Sequence, residues 1–203
     1  GELASSIAVA EIASHVREQI SQGEEPRRVV EQAIIKANAE IRKNGPSGLD
    51  EAEMGSTVVL ALIRGNRALI SHVGDSRAYM ITNGAMKLLT HDHTFVADWV
   101  RQGSITVEEA RTHESRHGLY AALGVEDGVE PQTAEWPWDP DSCLLLCSDG
   151  LTDMLPDDQI MGIVNRSDNP QEACDLLVEA ANQKGGTDNI SVIIVRQTDK
   201  HPE

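Results

Sequence analysis

The sequence predicts an α+β fold in which antiparallel sheet is flanked by amphipathic helices. Three observations carry that prediction. Apolar residues recur with a helical period near both ends of the chain, short runs of β-formers fill the middle, and hairpin-length turns rather than crossover helices join those runs.

Taken in order, Leu3, Ile7, Val9, Ile12, Ala13, Val16 and Ile20 line one face of a helix expected over Leu3 to Ile20. A second helix follows at once. Pro26 suits its first turn, Val29, Val30, Ala33, Ile34, Ala37 and Ile41 repeat the pattern, and Asn44-Gly45-Pro46 stops it. Thr57 to Ile63 is too short and too uniformly apolar to need a helix and is expected as a buried strand. Arg64 to Arg67 turns the chain into a strand over Ala68 to Val73. Arg77 to Thr82 then leads through Asn83-Gly84, a type I′ hairpin signal, into Ala85 to Leu89, so this block is expected to supply four antiparallel strands. Helices are expected over Phe95 to Gln102 and Thr106 to Arg111, the latter opened by a Thr106/Glu109 capping box. With the less regular stretch that follows, residues 95–129 are expected to form a flap. Strands resume at Gln132 to Glu135 and Ser142 to Ser148, followed by helices at Asp157 to Val164 and Pro170 to Asn182. Ile190 to Val195 is expected as a closing buried strand, and the tail Asp199 to Glu203 is expected to fray.

Composition narrows the function. A chain of 203 residues, 40% of them hydrophobic, supports one sizeable core and a single domain over residues 1–203. Lys and Arg number 17 against 33 Asp and Glu, a formal charge of -16, so there is no basic footprint for nucleic acid or an anionic membrane surface. Most of these acids read as solvated faces, and the rest could crowd around cations. Cys143, Cys147 and Cys174 are odd in number, and two of them sit in an apolar run as small hydrophobes. A reducing, cytoplasmic setting is therefore expected. No stretch approaches the ~18 to 20 consecutive apolar residues of a membrane span. No basic region followed by an apolar one opens the chain, and a soluble protein is expected.

Two acids stand where chemistry is easiest to build. Asp149 follows the apolar run Leu144 to Cys147, so a carboxylate is delivered at the end of a buried strand, where it is costly unless paired. An Asp that caps the next helix or makes an Asx-turn would read the same way. Asp188, in Gly185-Gly186-Thr187-Asp188-Asn189, immediately precedes the last apolar run. Two such acids can converge, and hard divalent cations such as Mg²⁺ or Mn²⁺ take carboxylate and water oxygens.

Five short motifs occur in order: Met54-Gly55-Ser56-Thr57, Val73-Gly74-Asp75-Ser76-Arg77, Thr90-His91-Asp92-His93, Ser148-Asp149-Gly150-Leu151-Thr152-Asp153 and Gly186-Thr187-Asp188-Asn189. Together they resemble the type 2C, metal-dependent serine/threonine protein phosphatase family over nearly the whole chain. The resemblance implies a sandwich of two antiparallel sheets flanked by helices, with a metal centre in a cleft at one end. It implies that Asp149 and Asp188 are ligands to a pair of Mn²⁺ or Mg²⁺ ions, and that Asp92 and Asp153 join Asp149 around a third, weaker ion. Asp153 could equally cap the helix that follows, and Asp92 could be a loop acid. Asp75 and Arg77 are implied to be architectural, and His91 and His93 receive no catalytic role. The implied activity is hydrolysis of phosphoserine and phosphothreonine in proteins by a metal-activated water, opposing a serine/threonine kinase. A monomeric, stand-alone bacterial enzyme is expected. The alternative is a pseudophosphatase that keeps the fold as a binding or regulatory domain. A cysteine nucleophile is a poor alternative, because neither Cys143 nor Cys147 precedes a glycine-rich, arginine-ended phosphate loop.

The sequence departs from the family in two places. Relatives begin with two strands and an Asp-Gly-Met-Gly-Gly loop that supplies a bridging aspartate, and Gly1-Glu2-Leu3-Ala4-Ser5 resembles the residues just after it. An N-terminal segment of about 35 to 45 residues is expected to be missing from this sequence, the alternative being a truncated form that lacks half of its metal site. His113-Glu114-Ser115-Arg116-His117 lacks the proline that relatives often carry after the first histidine.

Overall fold

The computed structural model describes residues 1–45 and 54–197, so Pro46 and the Asp199 to Glu203 tail lie outside the described residues. Helix α1 spans Glu2–Ser21 and α2 spans Pro26–Asn44. Pro26 occupies the first turn of α2 as expected, and the Glu25 side chain caps it by accepting from the Arg27 and Arg28 backbone N–H groups. The buried face of α1 differs from the expected one. Ala4, Ala8, Ile12 and His15 are buried, while Leu3 and Val9 are 58% and 69% exposed. Alanines at the contact let α1 approach Val30, Ala33, Ile34 and Ala37 of α2 closely.

Strands β1 (Val58–Arg64), β2 (Arg67–Val73), β3 (Arg77–Thr82), β4 (Ala85–Leu88), β5 (Gln132–Pro137), β6 (Cys143–Cys147) and β7 (Val192–Arg196) divide between two antiparallel sheets. One is three-stranded in the order β1-β2-β5, and the other is four-stranded in the order β4-β3-β6-β7. The four strands expected as one block are thus two hairpins in different sheets, and the chain changes sheet between β2 and β3. Asn83 and Gly84 both take positive φ, 52° and 74°, which the type I′ turn of the β3–β4 hairpin requires.

Alternation along the central strands builds a four-layer molecule. Ala68 and Ile70 of β2 meet Leu144 and Leu146 of β6 between the sheets, together with Ala78 and Trp138. Leu69 and Val73 face the other way, onto α1 and α2. Leu145 and Cys147 of β6 pack outward against α6 (Asp157–Val164) and α7 (Pro170–Gln183) through Ile160, Val164, Ala173 and Leu177. Burial on both faces explains why β6 reads as an unbroken apolar run. Each fully buried leucine there contributes roughly 1.5–3 kcal/mol. The closing strand is not buried as expected. It lies at a sheet edge, where only Ile194 is buried and Ile193 is 57% exposed. β1, the other strand expected to be buried, is likewise an edge and only half-buried.

Helices α3 (Phe95–Arg101) and α4 (Val107–Thr112) form an excursion from the sandwich, and α4 is opened by the expected Thr106/Glu109 capping box. A bridge between Thr94 and Leu119 closes the base of this excursion. Beyond it the chain rejoins the core: Leu123 is fully buried and bridges Ser56, and the Asn38 side chain accepts from Gly124 N (2.7 Å) and donates to Glu126 O (3.0 Å). Among the described residues, no helix is long and apolar enough to cross a membrane.

Candidate metal centre

The site lies where β6 ends. Ser148 joins that end to the loop before β7: its N–H donates to Ser191 O (3.1 Å), its Oγ donates to Asn189 O (3.1 Å), and the same Oγ accepts from Ser191 N (3.0 Å). This lacing brings the chain carrying Asp188 against the residue that follows Ser148. Gly150 makes the approach possible, because a Cβ there would overlap the Asn189 carbonyl oxygen.

Asp149 opens the single-turn helix α5 (Asp149–Thr152), where its Oδ1 accepts from Gly150 N at 2.8 Å. Asp153 follows four residues later, its N–H bonded to Asp149 O at 2.8 Å, so helical spacing sets both carboxylates on one side. Burial raises the Asp149 carboxyl above the usual range, and the charges of Asp153 and Asp188 raise it further. Asp188 accepts from its neighbour's backbone, Asn189 N, at 2.6 Å. Among the described residues, no lysine or arginine pairs with Asp149, Asp153 or Asp188.

Asp92 is held differently. Arg77 grips it with a two-pronged contact, Nη2 to Oδ2 at 2.6 Å and Nε to Oδ1 and Oδ2 at 3.0 and 3.1 Å. Arg77 also donates to Tyr79 Oη (3.2 Å), which reaches Asp157 Oδ1 at 3.4 Å. The Asp92 loop is pinned to the first sheet as well. His72 Nε2 lies 2.7 Å from His91 O, Gly74 N donates to His93 Nδ1 (3.3 Å), and His93 N donates to Gly74 O (3.0 Å). Arg77 therefore has the architectural role expected of it. Asp75, expected to share that role, does not pair with Arg77. Burial, then the nearby Asp149 and Asp92 charges, push its carboxyl up to about 6.

The structure thus brings Asp149 and Asp153 together, places Asp188 in the same field, and ties Asp92 to an arginine beside them. Two residues join the site that sequence reasoning left out. One is Asp75. The other is His117, whose ring and the carboxylates of Asp149 and Asp153 have ligating atoms all within 4.8 Å of one another. Asp92 and Asp188 lie outside that trio. Only the departure from the family pattern at residues 113–117 drew attention to the segment that carries His117. The cysteines take no part: burial raises the Cys143 thiol and pushes Cys147 up to about 12, and all three are free.

A donor set of carboxylate oxygens that no lysine or arginine among the described residues neutralises suits a hard divalent cation. The family match agrees with that chemistry. The sequence pattern of the protein phosphatase 2C family matches residues 1–183. A serine/threonine phosphatase, stp, of Listeria innocua is 36% identical over 199 residues, which cover 97% of this chain and 79% of that protein. The serine/threonine phosphatase of S. agalactiae superposes with a TM-score of 0.85 at 29% identity, covering 97% of this chain and 81% of that one. The catalytic domain of the phosphatase PstP, solved with 2 manganese ions, gives a TM-score of 0.81 at 32% identity, over 96% of this chain and 80% of that domain. The chain belongs to the protein phosphatase 2C family and is a serine/threonine protein phosphatase.

Proposed function

We propose that this protein removes phosphate from phosphoserine and phosphothreonine side chains of other proteins at the acid cluster beside β6, using Mn²⁺ or Mg²⁺. The observation that carries the reading is Asp149, a partly buried carboxylate crowded by Asp153 and Asp188 with no lysine or arginine among the described residues to balance it. Asp149 and Asp188 would hold the ions of a metal pair, and Asp153 with Asp149 a third ion, with Asp92 beside it. When bound, the metals supply positive charge for the phosphoryl oxygens and Lewis-acid activation of a water. The chain's own residues do the positioning. Ser148 fixes the two strand ends that carry Asp149 and Asp188, α5 sets Asp153, and Arg77 fixes the Asp92 carboxylate. Segment 95–129 would act as a flap within a single domain and select among phosphoproteins. The activity opposes a serine/threonine kinase in the cytoplasm, a setting in which Cys143, Cys147 and Cys174 stay as free thiols.

The test is Mn²⁺-dependent hydrolysis of an aryl phosphate and of a phosphothreonine peptide by the protein at its natural length. Activity that EDTA abolishes and that both Asp149→Asn and Asp188→Asn remove is expected. Turnover that persists in either variant at saturating Mn²⁺ would overturn the site.

A further inference from the structure

We propose that His117 is a nitrogen ligand to a divalent cation held with Asp149 and Asp153, and that this ion latches the α3–α4 excursion to α5. The inference rests on the reading of Asp149 as a metal ligand and goes beyond it, since the relevant histidine lies outside every motif that carried the family resemblance.

The geometry argues for a shared ion rather than an ion pair. His117 Nδ1 stands 3.7 Å from Asp153 Oδ2. That is beyond hydrogen-bond length, so the two groups face each other without satisfying each other. All three ligating atoms lie within 4.8 Å of one another. Two ligands of one ion, each about 2.1 Å from it, stand at most about 4.2 Å apart. The His117 and Asp153 side chains are 55% and 42% exposed, so neither is locked by packing, and closing the gap asks only for small side-chain rotations. The backbone that carries His117 is fixed on either side. Gly118 N donates to Ser115 O (2.9 Å), Gly118 O accepts from Phe95 N (3.1 Å), and the Ser115 N–H donates to His113 Nδ1 (3.1 Å). The imidazole is therefore presented from the base of the excursion, not from a free loop end.

Two consequences follow from the nitrogen. Imidazole suits transition metals, whereas carboxylate and water sites accept Mg²⁺ equally well, so this position should prefer Mn²⁺, Co²⁺ or Zn²⁺ over Mg²⁺. The ion would also join two segments that are far apart in sequence, so its binding should reduce motion of residues 95–118.

The decisive measurements are calorimetric titration of Mn²⁺ into the metal-free protein and pulsed EPR of the Mn²⁺-loaded protein, which detects directly bound nitrogen. Wild type should show nitrogen modulation. His117→Ala should lose it, although the other histidines remain, and one Mn²⁺ step should weaken at least about tenfold. His117→Asp should restore that step without the nitrogen signal and should lower the preference for Mn²⁺ over Mg²⁺. If Asp149→Asn leaves every Mn²⁺ step intact, the underlying metal-site reading fails. If Asp149→Asn weakens binding while His117→Ala changes neither the titration nor the EPR signal, His117 is only a neighbour of Asp153 and the inference is overturned.

Discussion

At Asp149, fold stability and the proposed metal binding pull in opposite directions, and Asp75 beside it shares the same unfavourable surroundings. Each carboxyl is raised by burial first and by neighbouring acids second, so without metal each holds its proton more readily than a free aspartate does. For Asp75 the stabilisation by the neutral acid is complete below the unfolded value of 3.8 and is lost as pH rises through about 6. Asp75→Asn, compared with wild type in EDTA, should therefore gain about 1–2 kcal/mol more at pH 7.5 than at pH 4, after allowance for solvent screening. Urea titrations at the two pH values measure the difference, and an equal effect at both would contradict the assigned environment. Asp149→Asn should likewise leave the metal-free Tm level or higher while abolishing turnover. Asp92 should behave otherwise. Removing it strands Arg77, so Asp92→Ala should destabilise the metal-free protein by about 2–3 kcal/mol, at or below the low end for a buried pair because both side chains keep some exposure. Asp153→Ala should leave that stability nearly unchanged and weaken only a Mn²⁺ step seen by calorimetry. At this scale the sequence was informative about Asp149 and Asp188, because both follow or precede apolar runs. Of His117 it flagged only the segment, through its departure from the family pattern, and not the partners, which are set by how the excursion folds back.

Elements with local signals were legible. Pro26, Asn83-Gly84 and the Thr106/Glu109 box each specify geometry within a few residues, and each appears where expected. Partnership between strands carries no local signal. Two hairpins read identically whether they share a sheet or face each other, and an apolar run such as Ile190 to Val195 does not distinguish a central strand from an edge. Gly74 marks the change of sheet: it has φ 102°, and a Cβ there would overlap the Thr57 side chain. Residues 95–129 also divide into parts that the sequence did not separate, since the arm beyond Leu119 packs into the core. Gly124→Ala should cost at least about 2 kcal/mol, because it combines a left-handed backbone at φ 88° with overlap onto the Met54 carbonyl. Thermal melts test this. Exchanging residues 95–118 for those of a relative should reorder phosphopeptide preference about tenfold while aryl phosphate turnover changes only a few-fold, as expected when loops on a rigid scaffold carry recognition. Parallel loss of both activities would make the excursion part of the catalytic architecture.

Across the whole molecule, the acids proposed to hold the metals repel one another when metal-free, which would make the cation a folding ligand. Mn²⁺ at a hundred times its dissociation constant should add about 2.7 kcal/mol, a Tm rise of roughly 5–10 °C for a domain of this size, and no rise at all would contradict a built metal site. The sandwich is also polar along its strands. β6 runs from Cys143, paired with Ile81 and Arg196, to Cys147, paired with Arg77 and Val192, and every acid of the site lies at the second end. The first end carries the Asn83-Gly84 turn, one strand length away from the chemistry. That turn is a natural place to cut and rejoin the chain, to attach a reporter dye or to tether the protein to a surface, because whatever is added there trails away from the face where a phosphoprotein must dock.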